Sequence, residues 1–449
     1  MKRSAWRYLW TAKDIRRKLL VTLGILVIYR FAAHIPVPGV DREALASLLG
    51  QGGAAGTLVG FLNLLSGGAV SNFSILAMGV YPYITAQIIL QLLVPIVPAL
   101  QRRMEEDPRA GKSWMEKWTY ILAIPMAALQ AIGQINIFSN LGGVPIIPNF
   151  GFTGDSLLPS MTIIIVMTGG TMFGIWLGEL ISEYGMRNQG LSLIIFAGIV
   201  AGIPQNLGSL LQDQQTWLVN LLVVVIVTLL TIVVIVYVQQ GQRNVPVMYP
   251  GRRVGSRMSM PVKGTLPLRV NMAGMIPIIF AQSLLTFPAI VAAFFVNSQT
   301  EWVRNLALGT QNSFSGNTNS YLYWILYFVF VVFFTFFYTD VLFSQQNYGE
   351  NLKKAGAQIP GVSRGAPTQR YLTRVLRRIT FPGAFFLGIV AVTPWLLSLI
   401  LPQLGGASTS TLLVSSAGLL IVVGVIRDLF FTIEAELKLH GYEERLLVR

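Results

Sequence analysis

The sequence predicts an all-α polytopic membrane protein with ten transmembrane helices, and three observations carry that reading. Of 449 residues, 53% are hydrophobic and 12% charged, where soluble domains carry roughly 25% charged residues. Apolar runs recur that approach the roughly 20 residues needed to cross a hydrocarbon core of about 30 Å. All but three of the 33 Lys and Arg residues fall in segments that ten spans would leave on one membrane face, the exceptions being Arg30, Arg42 and Arg304. By the positive-inside rule that face is cytoplasmic, and both termini lie on it.

A basic arm, residues 1–18, precedes span 1 at Leu19 to Phe31. The run ends in Ile35-Pro36-Val37-Pro38-Gly39 without a small-x-small cleavage site, so it is expected to stay as a span and not be removed as a leader. From Thr57 to Phe73 the chain is apolar but interrupted by Gly60, Gly67 and Gly68, on the non-cytoplasmic side. Such a piece either lies at the interface or folds back into the protein, because lipid cannot satisfy broken backbone. Span 2, Phe73 to Val94, comes next, with Ser71-Asn72 as the expected N-cap and Pro82 early in the helix.

Spans 3 to 5 are read at Trp118 to Phe138, Leu158 to Gly178 and Leu191 to Leu207. Spans 6 to 10 are read at Trp217 to Val238, Asn271 to Val296, Tyr321 to Asp340, Ile379 to Leu401 and Leu412 to Ile426. The halves are then 19–211 and 212–426, with a cytoplasmic tail at 427–449 and long basic loops at 239–269 and 341–378. Five spans per half means that repeated halves would insert with opposite topology. No sequence similarity between the halves is read here, so the count is compatible with inverted repeats without establishing them.

The composition excludes several kinds of chemistry. The chain has no cysteine and two histidines, His34 and His440, in separate segments. Disulfides, iron–sulfur clusters and thiolate metal sites are thereby ruled out, and no metal or cofactor is expected. Glu179, Glu183, Asp340, Arg427 and Asp428 all fall at cytoplasmic span ends. An ion-coupled transporter would place ionisable groups inside the bilayer instead. The scan finds no HExxH motif, no serine-base or paired-aspartate arrangement for an intramembrane protease, and no phosphate-binding GxxxxGK[ST] loop, so an enzyme is not expected.

Several strings coincide with one family. They are Arg30 with IPVPGV at Ile35 to Val40, LLSGGAVSNFSILAMGVYPYITAQIILQLL at Leu64 to Leu93, RNQGLSLIIFAGIVAGIP at Arg187 to Pro204, LPLRVNMAGMIPIIFAQSLL at Leu266 to Leu285, NLKKAGAQIPG at Asn351 to Gly361 and LLIVVGVIRD at Leu419 to Asp428. In content and order, across nearly the whole chain, these resemble the SecY family of protein-translocation channels.

The resemblance implies a ten-helix clamshell of two inverted five-helix halves around an hourglass pore, through which unfolded polypeptides cross. It implies a pore ring at Val80, Ile84, Ile195, Ile199, Ile279 and Ile421. Aliphatic side chains there could deform around a passing chain and oppose ion flow by dewetting. It further implies a plug within residues 57–73, including Phe61, Leu62, Asn63, Leu64, Leu65, Ser66, Gly67 and Gly68, and a lateral gate between spans 2 and 3 and spans 7 and 8, with polar positions Thr85, Gln130 and Asn271.

The expected partners are SecE-like and SecG-like small membrane subunits, the SecA motor ATPase, the ribosome, signal sequences with their nascent chains, and membrane lipid. Arg252, Arg253, Arg257 and Arg364 match docking positions in the two basic loops. Where many members read PGIRPG, this chain reads PGVSRG at Pro360 to Gly365, with Ser363 at the matching arginine position. The implied location is a bacterial plasma membrane. The competing reading is an inverted-repeat secondary transporter of a small solute, which should show a polar or charged site at broken helices at mid-depth.

Overall fold

A computed structural model describes residues 13–41, 43, 45, 69–70, 73–142, 146–147, 150–151, 154–187, 189–211, 217–250, 253–254, 257–258, 262–293, 295–296, 300–314, 321–400 and 407–439. The N-terminal half contains α1 (Lys13–Ala32), α2 (Tyr81–Ile96), α3 (Pro98–Glu106), α4 (Pro108–Gly142), α5 (Leu157–Tyr184) and α6 (Gly190–Leu211). The C-terminal half runs α7 (Trp217–Gln240), β1 (Gln242–Tyr249), β2 (Arg253–Val254), β3 (Arg257–Met258), β4 (Val262–Arg269), α8 (Ile276–Ala293), α9 (Glu301–Phe314), α10 (Tyr321–Gln345), α11 (Tyr348–Lys354), α12 (Ala366–Ile400) and α13 (Ala407–Leu439).

Each of the ten apolar runs contributes a helix. By length and composition, five of the described helices suffice to cross a membrane, or six if α2 and α3, bent by 94° at Val97, count as one broken span. The shortfall has local causes. Arg16, Arg17, Lys18 and Arg30 punctuate α1, while the apolar parts of α6 and α8 are only Gly190–Pro204 and Ile276–Ala289.

Span 2 starts later than the sequence suggests. Phe73 to Val80 forms irregular turns, and the cap position of α2 is Val80, with no side-chain cap bond; the expected cap, Ser71-Asn72, lies outside the described residues. Pro82 sits in the first turn, where its missing N–H removes nothing from the helix, so no kink is required. The turns are held from outside instead. Phe73 O accepts from Val37 N at 3.0 Å, and Ile75 N donates to Ile35 O at 3.0 Å. Gly170 of α5 has no Cβ, and the backbone of Ile75 occupies that space.

The start of α8 repeats this design. Gly79 (φ 53) lies two residues before α2 and Gly274 (φ 66) two residues before α8. Side-chain atoms brace both turns: Ser74 Oγ accepts from Leu76 N at 3.2 Å, and Asn271 Oδ1 accepts from Gly274 N at 2.9 Å. In sequence the two read Gly79-Val80-Tyr81-Pro82-Tyr83-Ile84 and Gly274-Met275-Ile276-Pro277-Ile278-Ile279. This shared G-x-x-P-x-I string is a similarity between the halves that the sequence reading missed.

The two largest cores are centred one in each half, the first extended by α13 from the other half. One gathers Tyr29, Leu76, Ile175, Ile181 and Ile194 with Val425 and Ile433 of α13. The other is aromatic, with Phe280 of α8 edge-on to Phe334 at 5.9 Å and to Tyr338 at 5.7 Å. Helix α13 packs on α6, α7 and α12, while α8 meets α4 and α2 on the opposite side. Helix α7 packs on α13 and α6 and leaves one apolar face exposed, with Leu222, Val225, Ile226, Leu229, Leu230 and Val233 recurring along it.

Candidate functional site

Helices α2, α6, α8 and α13 bring the six aliphatic positions together. Val80, Ile195 and Ile421 are buried in one cluster, with Ile84 and Ile199 half-buried against it. Ile279 is buried beside Tyr81, and Ile84 and Met275 pack on that pair. Ile84 and Met275 also border the aromatic core of the C-terminal half, so these two side chains join all three groups. The sequence reading missed Met275, although its place in the G-x-x-P-x-I string, equivalent to Val80, was the available signal. No Asp, Glu, Lys or Arg occurs in α2, α6 or α8, or in α13 before Arg427. An unpaired charge inside the bilayer would cost about 3 kcal/mol.

The three polar gate positions behave differently from one another. Gln130 Nε2 donates to Thr85 Oγ1 at 3.0 Å, tying α4 to α2 within one half. Thr85 in turn donates to Pro82 O at 2.9 Å. Asn271 spends both ends of its amide on Gly274, so its polar atoms shape the turn before α8 rather than bridging to α2 or α4. Among the described residues an ion pair, Lys18 with Glu436, ties α1 to α13 across the halves, and two further polar pairs face each other from α2 to the C-terminal half; the sequence reading missed all three.

Tyr81 of α2 lies beside Ser283 of α8, and Gln91 of α2 beside Tyr338 of α10, so that each pair faces across the seam with polar groups. Ser283 donates its hydroxyl proton to Ile279 O of its own helix at 2.8 Å. Gln91 Oε1 is buried without a hydrogen-bond partner among the described residues. Isolated polar residues inside apolar helices read as packing in a sequence, and 247 positions separate the second pair, which is why neither was visible.

Residues Phe61, Leu62, Asn63, Leu64, Leu65, Ser66, Gly67 and Gly68 lie outside the described residues. The chain just beyond them is anchored: Ala69, Val70 and Phe73 are buried, and the Phe73 ring meets Phe138 of α4 edge-on at 5.5 Å.

The two basic loops form one platform. β1 and β4 pair antiparallel in register from Gln242↔Arg269 to Tyr249↔Val262, a hairpin where the sequence reading had only a loop. Alternation along β1 buries Val245 and Val247 and exposes their neighbours, a period-2 pattern legible in Asn244 to Tyr249. Met248 exchanges backbone bonds of 2.8 and 2.9 Å with Gln358 from the other loop. A small core of Val245, Val247, Leu268, Phe343, Leu352, Ile359, Leu372 and Leu376 lies beneath them.

Arg269 stacks over the Phe431 ring at 4.8 Å, tying the platform to α13. Burial, and then the neighbouring Arg427, lower the Arg269 pKa, while Asp428 and Tyr348 oppose them. Of the docking positions, Arg364 is exposed in the turn before α12, next to Ser363, whose carbonyl accepts from Thr368 Oγ1 at 2.7 Å. Arg253 and Arg257 sit in the short strands at the hairpin tip, and Arg252 lies outside the described residues. Among the described residues no group of three or more His, Asp or Glu is placed to hold a metal.

Known proteins share this architecture. A family profile described as SecY matches residues 74–430. The chain is 36% identical to the protein translocase subunit SecY of Streptomyces scabiei over 442 residues and 38% identical to that of Mycobacterium bovis over 438 residues, with 96% of each chain covered in both cases. A solved structure concerned with the plug domain of SecY and the closed state of the translocation channel superimposes with a TM-score of 0.62 at 17% identity, covering 99% of this chain and all of that one. A second, described as a protein-conducting channel, gives 0.58 at the same identity. The ring, the paired turns and the basic platform thus sit in a chain that matches these relatives from end to end, and it belongs to the SecY family.

Proposed function

We propose that this chain is the protein-conducting channel of a translocase, passing unfolded secretory polypeptides across the membrane and releasing apolar helices sideways into lipid. The observation that carries the reading is the meeting of α2, α6, α8 and α13 on an aliphatic cluster free of fixed charge, formed around Val80, Ile84, Ile195, Ile199, Ile279 and Ile421. A path for arbitrary polypeptide needs that indifference, because a fixed charge would hold or repel passing segments. The plug is assigned to residues 57–73 and the sideways exit to the seam of α2 and α4 with α8 and α10.

The chain works within a translocase of several subunits. The exposed apolar face of α7 suits an apolar helix of a SecE-like or SecG-like small membrane subunit. The platform built from 239–269 and 341–378 suits the SecA motor or the ribosome, with Arg253, Arg257 and Arg364 as cations for acidic protein or rRNA phosphate. Membership of the family supports a bacterial plasma membrane, and the skew of basic residues supports both termini on its cytoplasmic side.

The absence of native cysteine makes a direct test available. One cysteine replaces Ile84 or Ile279, a secretory chain carrying one cysteine is stalled in transit, and disulfide formation is measured against a cysteine at the exposed Leu229 of α7. Adducts at the ring positions and not at Leu229 are expected. Absence of ring adducts with a demonstrably engaged chain would remove these residues from the path.

A further inference from the structure

Helix α12 carries a face that neither the ring nor the seam uses. Arg370, Arg374, Arg377 and Arg378 fall on one side of its first turns, and with Gln369, Thr373 and Phe381 they line a groove of ≈ 730 Å³. That volume is within the roughly 300–1,000 Å³ usual for ligand sites. The face continues without interruption into apolar surface. Phe381, Phe385 and Ile389 recur at helical spacing and are 56%, 40% and 52% exposed. From Ile379 onward the helix is apolar, so the cationic part ends where the hydrocarbon region begins.

The neighbouring helix shapes the apolar part. The Phe381 and Phe385 rings lie 4.7 Å apart at a tilt of 44°, and α10 adds Phe336 beside Phe381 at 6.4 Å and Phe328 beside Phe385 at 5.8 Å. Asp340 of α10 holds Arg377 at 2.9 Å, which fixes one guanidinium at the boundary and leaves the remaining arginines in excess. Charge at one end and an exposed aromatic furrow at the other match a single kind of molecule.

We propose that this face binds one anionic phospholipid, its phosphate on Arg374 and Arg378 and its acyl chains along Phe381, Phe385 and Ile389. Guanidinium groups pair phosphate oxygens through two parallel N–H donors, and basic clusters beside the cytoplasmic ends of spans are the usual headgroup sites. A ribosome or motor protein would use the arginines but would leave the furrow within the bilayer unexplained. A free phosphate would likewise not need it.

The test uses the full chain purified with its partner subunits in detergent, with phosphatidylglycerol or phosphatidylcholine added and bound lipid counted by native mass spectrometry. The variants are Arg374→Gln with Arg378→Gln, and, for the furrow, Phe385→Ala. Arg377 is left intact because it ties α12 to α10, and Lys353→Gln with Lys354→Gln serves as a basic control on α11. The arginine variant is expected to lose roughly tenfold or more in phosphatidylglycerol retention, Phe385→Ala to lose a smaller share, and the lysine control to match the parent. Equal retention of phosphatidylcholine, unchanged retention in the arginine variant, or a loss confined to lipid-free ribosome or motor binding would each overturn the assignment.

Discussion

The two sides of this molecule are closed by different physics. At the back, α13 packs on α6 and α7 through Leu193, Ile194, Val425 and Ile433 as part of a broad apolar core. At the seam, α2 and α4 face α8 and α10 through apolar side chains that include Ile84, Ile88, Met275 and Ile279, with the polar pairs Tyr81–Ser283 and Gln91–Tyr338 set among them. Apolar packing of buried side chains costs several kcal/mol to undo, whereas a polar contact between membrane helices averages about 0.6 kcal/mol. A clamshell closed in this way opens at the seam and keeps its back.

The sharpest way to break that contrast is to weaken the back. Leu193→Ala removes a buried side chain from α6 and should cost about 2–5 kcal/mol of stability, read as a lower thermal midpoint of the whole complex, with unchanged selectivity among signal sequences. A shift in that selectivity would mean that the back takes part in gating.

At the ring, Ile279→Asp places an unpaired carboxylate among aliphatic side chains, a penalty of roughly 2.5–3.5 kcal/mol. Resting ion conductance in planar bilayers should rise at least several-fold. Conductance equal to the parent would show that the cluster does not form the seal.

Gly274→Ala forces a side chain into a left-handed turn at about 1–2 kcal/mol, with open space around the added Cβ, so the effect is conformational and not a clash. Retention of weakly apolar signals should change while the folded yield stays close to the parent's. Tyr338→Phe is the mildest change. Losing about 0.6 kcal/mol from the closed seam should raise export of a substrate with a weakened signal by roughly threefold, measured against one with a strong signal, which should not respond.

The same contrast explains what the sequence disclosed. Spans are legible because every residue of an apolar run reports the same bilayer, and all ten runs became helices. The six positions proposed for a pore ring came only from resemblance, since an aliphatic residue in a membrane helix usually faces lipid or packing; the structure places them in neighbouring apolar clusters. Long-range polar pairs such as Gln91–Tyr338 leave no local pattern. Asn271 shows the opposite problem: it reads as a gate residue, yet its amide is spent on Gly274 of its own turn. The hairpin at 242–269 carries a readable alternation, but Pro246 and Pro267 within it argue against strands until the paired register shows them opposite Thr265 and Asn244.

The most direct test of a seam that opens against a fixed back is to lock each in turn. Cysteines replacing Gln91 and Tyr338, joined by a short bis-maleimide, would tie α2 to α10, and cysteines replacing Gln239 and Gly424 would tie α7 to α13, where Gln239 Nε2 lies 4.0 Å from the place a Gly424 Cβ would take. Export is then measured before and after linking. The account predicts that the seam lock abolishes export of new chains while the back lock leaves most of it. Export that survives the seam lock, or falls equally with both, would contradict it.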